Sequence, residues 1–234
     1  MELDKIYLMD CLDGIKKMKS KGIVPNLIIC DPPYEFEAHG RGISKHRKDQ
    51  DKIKNTNLNS FAFETFIPQI LDLQEKQVNA YFFCNKALLP KYLMLALERG
   101  LNFDILTMNK KAPIPCKNSA YLPEIEYIVF LRSKGVYWNG KLDYKLYFKS
   151  HLVITNGVSN PHPTQKPISI IKKFIQLSSD ENHLILDCFM GSGTTAIACK
   201  DLNRKYIGFE INEDYFEIAN KRIESEVKTL LNCV

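Results

Sequence analysis

The sequence predicts an α/β fold, a mostly parallel sheet with helices on both faces. Two kinds of observation predict it. Short apolar runs without polar alternation, 26–30 (NLIIC) and 184–188 (LILDC), have the look of central strands buried on both sides. Helical stretches separate such runs in regular alternation, the pattern of crossover-linked parallel strands. With 234 residues the chain holds one domain with a proper core and little room for a second. It shows no internal repeat and no low-complexity segment.

In chain order, residues 5–10 read as a short strand and 12–19 as a helix. The run 26–30 is the next strand, 62–73 a helix, and 80–84 (AYFFC) a strand. A helix over 88–99 is closed by Gly100, because glycine takes the left-handed conformation that ends helices. Strands follow at 103–108 and at Ile125–Arg132 (IEYIVFLR). The helix over 167–177 opens on a proline, which suits a first turn whose amides are unpaired anyway. A strand at 184–188, a helix at 194–202, a strand at 206–211 and a helix at 214–231 complete the alternation. Two segments fall outside it. Residues 35–60 are long, polar and turn-rich, which inside a compact domain points to a functional loop. Residues 136–148 (VYWNGKLDYKLYF) set Asn139-Gly140 between aromatic-rich arms, a β-hairpin signal within an insertion spanning 134–160.

Composition narrows the function classes. Hydrophobic residues make up 45% and charged residues 25%, ordinary globular usage. No apolar run approaches the ~20 residues that cross a bilayer, and Met1-Glu2-Leu3-Asp4-Lys5 lacks the layout of a signal peptide. A cytoplasmic enzyme is the expectation. The seven cysteines are odd in number and include no CxxC pair, so they fit neither a disulfide framework nor a zinc site. They read as reduced, buried, small apolar residues, and no metal is expected. A net charge of +5 suits a polyanionic partner without requiring one.

Three motifs carry chemistry. Asp31-Pro32-Pro33-Tyr34 follows a buried strand directly, and open α/β sheets bind ligands beyond the carboxyl ends of their strands. Two prolines stiffen the turn and leave its carbonyls free to accept. Asp31 adds a charged acceptor and Tyr34 a π-face, together a grip for a planar group bearing an NH2. The second motif runs from Asp187 through Cys188, Phe189, Met190, Gly191, Ser192 and Gly193 to Thr194 and Thr195: strand, Gly-x-Gly turn, helix. Such a turn lets a nucleotide-like ligand approach the backbone closely. Glu210 ends the following strand, 23 residues after Asp187, near the ~20-residue offset at which an acid holds ribose hydroxyls. No lysine follows the turn, which excludes a P-loop triphosphate site. The third motif, His162-Pro163-Thr164-Gln165-Lys166-Pro167, precedes a helix, where a hydroxyl and an ammonium suit a small carboxylate.

With these blocks in this order, the chain resembles the DNA amino-methyltransferases in their permuted, beta-class arrangement, where the DPPY block precedes the glycine block. The resemblance spans Asp10 to about Arg222. It implies a Rossmann-like, seven-stranded methyltransferase sheet, circularly permuted and entered at its third strand, with S-adenosylmethionine as cofactor and double-stranded DNA as substrate. Asp31 and the Pro32 carbonyl would hold the target amine, Pro33 would keep the turn rigid, and Tyr34 would stack on the flipped base. The cofactor pocket would take its methionine part in the turn from Phe189 to Thr194, including Gly191, Ser192 and Gly193, with Asp187 below. Glu210 would bind the ribose and Asp10 the adenine edge, with Cys11 and Ile211 beside them, and Asp31 would border the cofactor as well as the target amine. Thr164 and Lys166 would hold the cofactor carboxylate. Aspartate at the head of the block leans toward adenine N6, with cytosine N4 as the alternative. Related folds that methylate RNA or protein glutamine often carry asparagine at that place and put the glycine block first. The chain departs from the family in having Cys188 where proline is usual, and in lacking a large target-recognition segment between Ser133 and His162. Arg41, Lys45, Arg47 and Lys48, unbroken by an acidic residue, could contact phosphates around the target. The resemblance is also compatible with a homodimer and a cognate restriction endonuclease.

Overall fold

The structure is a computed structural model that describes residues 1–33, 63–75, 77–110, 121–122, 124–153 and 166–231, without the side chains of Val153 and of 226–231. Among the described residues eight strands form one sheet: β1 (Lys5–Leu8), β2 (Leu27–Cys30), β3 (Asn79–Cys84), β4 (Asn102–Lys110), β5 (Ile125–Arg132), β6 (Ser150–Val153), β7 (Leu184–Asp187) and β8 (Lys205–Glu210). Their spatial order is β1-β8-β7-β2-β3-β5-β4-β6, and only β5 runs against the rest. The helices are α1 (Cys11–Ser20), α2 (Phe63–Leu71), α3 (Leu89–Glu98), α4 (Ile168–Ser178), α5 (Thr194–Asp201) and α6 (Glu213–Leu231).

Unbroken apolarity in the central strands reflects two cores. In β2, Ile28 and Cys30 pack with α1, α2 and α3 around Ile15, Met18, Ile67 and Tyr92. Leu27 and Ile29 face the opposite way, into a core with Phe174 of α4, Ile197 of α5 and Ala219 of α6. Alternate residues thus serve opposite faces, as the period of a strand demands. In β3, Tyr81 is sandwiched between Phe130 and Phe174, with ring centroids 4.1 and 4.2 Å away, and its hydroxyl meets Ser178 Oγ at 2.8 Å.

Two expectations need correction. The sheet has an eighth strand, because β6 adds alongside β4 at the edge, pairing Thr107 with Ser150. The β-hairpin over 136–148 does not form. A hairpin turn at Asn139-Gly140 needs left-handed φ, and Gly140 is not among the glycines with positive φ. Asn139 instead accepts the Lys141 N–H on its own side chain and donates its amide to Leu177 at the end of α4. Tyr147, in a single 3-10 turn over Tyr144–Tyr147, donates its hydroxyl to the Asn139 carbonyl at 2.7 Å. The segment is therefore tied to α4, with Trp138 stacked on Phe130, and leads into β6.

Candidate active site at the carboxyl edge of the sheet

Four neighbouring parallel strands each deliver a carboxylate to the same edge. Glu210 ends β8, Asp187 ends β7, Asp31 directly follows β2, and Asp10 lies just past β1. At ~4.8 Å between strands, the row spans roughly 15 Å, the scale of a nucleoside carrying an amino-acid tail.

The glycine turn occupies the middle of this row. Gly191 (φ 53°) and Gly193 (φ 83°) are both left-handed, a conformation that side chains resist. The turn is closed by the Met190 N–H on the Phe209 carbonyl and the Gly193 N–H on the Met190 carbonyl. Asp187 sits beneath, accepting the Phe189 N–H at 3.0 Å and the Thr195 hydroxyl at 2.6 Å. Burial nevertheless pushes its carboxyl up to about 7. Glu210 accepts the N–H of Gly191 at 2.7 Å and of Asn212 at 2.8 Å, and burial raises its carboxyl as well. Arg222 of α6 donates to the Ser192 carbonyl and hydroxyl, holding the turn from behind.

Asp31 is partly exposed, Pro32 buried and Pro33 half-buried. Because Ile28 pairs with Leu186, the turn after β2 lies beside the turn after β7, and Cys30 Sγ accepts the Cys188 N–H at 3.3 Å. Burial raises both thiols, and all five cysteines among the described residues are free and buried, as packing residues should be. Lys166, at the entrance to α4, donates to Asp31 Oδ2 at 2.6 Å. It lies 3.6 Å from Glu126 Oε2 and 5.1 Å from the centroid of Phe83. Its ammonium, expected at a cofactor carboxylate, therefore engages the carboxylate of Asp31.

The remaining sequence candidates divide. Asp10 accepts the Leu12 N–H at 2.8 Å as the cap of α1. Cys11 is buried in the core beneath that helix, and Ser192 and Thr194 are buried in the turn. Ile211, 55% exposed, offers an apolar surface beside Glu210. Tyr34, Thr164, Arg41, Lys45, Arg47, Lys48 and the loop 35–60 lie outside the described residues. Sequence reading missed Glu126, Lys110 and Arg222. Two surface hollows, one around Gly22–Val24 and one around Arg99 and Leu101, lie at the amino ends of the strands, away from every charged group of the row.

The arrangement suits a nucleoside cofactor: a backbone cradle open to close approach, a buried acid at its rim for hydroxyls, and an exposed apolar side chain beside that acid. Among the described residues no group of three or more His, Cys, Asp or Glu side chains could hold a metal ion, and no helix is long and apolar enough to cross a membrane.

Comparison with known proteins agrees with this geometry. A family model described as DNA methylase matches residues 25–221. The chain is 42% identical to the Type II methyltransferase M2.MboI of Moraxella bovis, an alignment covering 97% of this chain and 90% of that protein. It is 28% identical to M1.MboII of Moraxella bovis, over 94% of this chain and 96% of that protein. The crystal structure of the M1.HpyAVI-SAM complex superposes with a TM-score of 0.73 at 27% identity, covering 93% of this chain and 98% of that one. S-adenosylmethionine is the chain's cofactor. With the family model spanning most of its length, the chain belongs to the DNA methylases of the N6- and N4-amino-methyltransferase family.

Proposed function

We infer that the protein methylates adenine N6 in double-stranded DNA. One observation carries the reading: Asp31 and the Gly191–Gly193 turn end adjacent, paired strands and so border one site. Asp31 at the head of the block favours adenine; cytosine N4 is the alternative that the same geometry would serve.

Bound S-adenosylmethionine supplies an electrophilic methyl group on a sulfonium. The residues from Phe189 to Thr194 would hold its methionine part over Asp187, Glu210 its ribose, Asp10 and Ile211 its adenine, and Thr164 its carboxylate. An aromatic exocyclic amine is a weak nucleophile because its lone pair is delocalised into the ring. Asp31 and the Pro32 carbonyl accept its two hydrogens, favouring the pyramidal form in which the lone pair is localised. Asp31 then offsets the positive charge that develops on nitrogen until the methylated amine releases one of its hydrogens as a proton, an electrostatic contribution made by a group already in place. Pro33 keeps the turn stiff. Tyr34 stacks on the base once it has left the duplex, at a cost of roughly a few kcal/mol in lost stacking and pairing. Arg41, Lys45, Arg47 and Lys48, next to the catalytic turn in sequence, contact phosphates around the target.

The test uses genomic DNA, labelled S-adenosylmethionine and nucleoside analysis of the product. The wild-type protein yields N6-methyladenine; N4-methylcytosine alone would transfer the reading to the alternative. Asp31→Ala lowers transfer by at least about a hundredfold, while calorimetry still detects cofactor binding. Substantial retained activity removes Asp31 from the reaction.

A further inference from the structure

The charged edge continues past the catalytic turn in a file that the methyl-transfer chemistry, as described, does not use. Glu126 is the second residue of β5, and because β5 runs opposite to its neighbours, it enters the sheet at the edge where β2 and β7 leave. Its Oε1 lies 2.5 Å from Lys110 Nζ at the end of β4. Its Oε2 is buried, has no hydrogen bond among the described residues, and lies 3.6 Å from Lys166 Nζ. Lys166 in turn donates to Asp31 Oδ2 at 2.6 Å. Charges thus alternate along Lys110, Glu126, Lys166 and Asp31, on residues of four different segments.

The cost of this arrangement argues for a purpose. The Lys166 side chain is only 12% exposed, and an ammonium that has lost its water is unfavourable unless anions surround it. Burial works to lower its proton affinity, but Asp31 and Glu126 more than reverse this and raise it. Burial likewise works against the Glu126 anion, and Lys166 and Lys110 more than offset it. Both groups are charged at neutral pH. Two anions on different segments hold the lysine more firmly than Asp31 would by itself. With Glu126 on its other side, the ammonium becomes a stationary counter-charge.

We propose that Glu126 is a positioning residue for methyl transfer: by anchoring Lys166 it fixes the Asp31 carboxylate in the orientation that receives the target amine. The proposal rests on the reading of Asp31 as the amine acceptor. It also assigns Lys166 to the catalytic turn rather than to the cofactor carboxylate, and the two assignments differ in what the lysine's removal does.

The experiment compares the full-length wild-type chain with Glu126→Gln, Glu126→Asp, Lys166→Met and Asp31→Ala. It measures single-turnover methyl transfer to DNA, calorimetric affinity for S-adenosylmethionine and the melting temperature. Glu126→Gln keeps the shape and removes the charge; it slows single turnover about ten- to a hundredfold, the scale of a misplaced reacting group. Cofactor affinity stays within about twofold, since in this assignment neither residue touches the cofactor. Glu126→Asp recovers part of the rate, and Lys166→Met reproduces the loss with cofactor affinity intact. A Glu126→Gln variant at the wild-type rate overturns the proposal. So does a loss of cofactor affinity in Lys166→Met large enough to account for its loss of rate. If Glu126→Gln melts too low to assay, Lys166→Met reads the same link from the other end. Asp31→Ala separates the two levels: if it remains active the amine-acceptor reading fails, and if it is inactive while the Glu126 and Lys166 variants are normal, only the positioning role fails.

Discussion

The carboxyl of Asp187 makes stability pH-dependent in a direction opposite to that of most carboxylates. Its side chain is buried at the end of β7, and its affinity for a proton rises from the ordinary 3.8 to about 7. Because the folded value is the raised one, this group's stabilising contribution is complete below pH 3.8 and is lost as pH climbs through about 7. A difference of about three pKa units corresponds to about 4 kcal/mol at saturation, with roughly half of that already lost at pH 5.5. Asp187→Asn removes the titration while keeping an acceptor for the Phe189 N–H and a polar partner for Thr195. Urea unfolding of cofactor-free wild type and variant from pH 5.5 to 9 isolates the effect, since titrating groups that do not interact with Asp187 cancel in the difference. The variant should gain on the wild type by about 2 kcal/mol across that range, or about 4–8 °C in melting temperature. A difference that stays flat with pH would show that the Asp187 carboxyl is solvated in the folded protein, and the reasoning would fail.

The glycine turn and the basic residues proposed to contact phosphates yield two further tests. Gly193→Ala forces a side chain into φ 83° and brings its Cβ to 3.0 Å from Ala219 Cβ and 3.2 Å from Ala219 Cα in α6. The strain is about 1–3 kcal/mol, so melting temperature and calorimetric cofactor affinity should both fall, whereas Gly140→Ala, which meets nothing within 4 Å, serves as the neutral control. Neutralising Arg41, Lys45, Arg47 and Lys48 together should reduce the slope of log affinity for DNA against log salt by roughly 3 to 4, about 0.9 for each phosphate that is no longer neutralised; an unchanged slope removes them from the interface.

The strands and helices were legible because each is specified locally. Leu27–Cys30 and Leu184–Asp187 are apolar on both faces because helices cover both, and the boundaries fall within a residue or two of those read from the pattern. The glycine turn was legible for a similar reason: strand, Gly-x-Gly and helix are consecutive in sequence. The failure at Asn139-Gly140 came from a tertiary competitor. The dipeptide can make a hairpin turn, but the Leu177 carbonyl and the Tyr147 hydroxyl claim its backbone instead. Glu126 went unnoticed because nothing adjacent to it in sequence is charged in a telling way. Only the reversal of β5, a property of the sheet as a whole, carries it to the edge where Lys166 waits. Lys166 was found from an ammonium at a helix entrance, whereas its contact with Asp31 was not, since a carboxylate 135 residues away cannot be read from spacing.

The two halves of the sheet differ in how they can be made. Strands β3 to β6 come from one continuous stretch, whereas the half bearing the carboxylate row weaves together both ends of the sequence, with links such as Leu184 to Asn26 and Tyr206 to Asp4 bridging 158 and 202 residues. On the ribosome, β2 must wait beside an unpaired edge until β7 has been translated, an exposure that invites association with other chains. Such distant pairings also slow folding, because the loop must be closed before its contacts repay the entropy. A product truncated before β8 lacks the strand that joins β1 to β7, so this half of the sheet closes only late in translation.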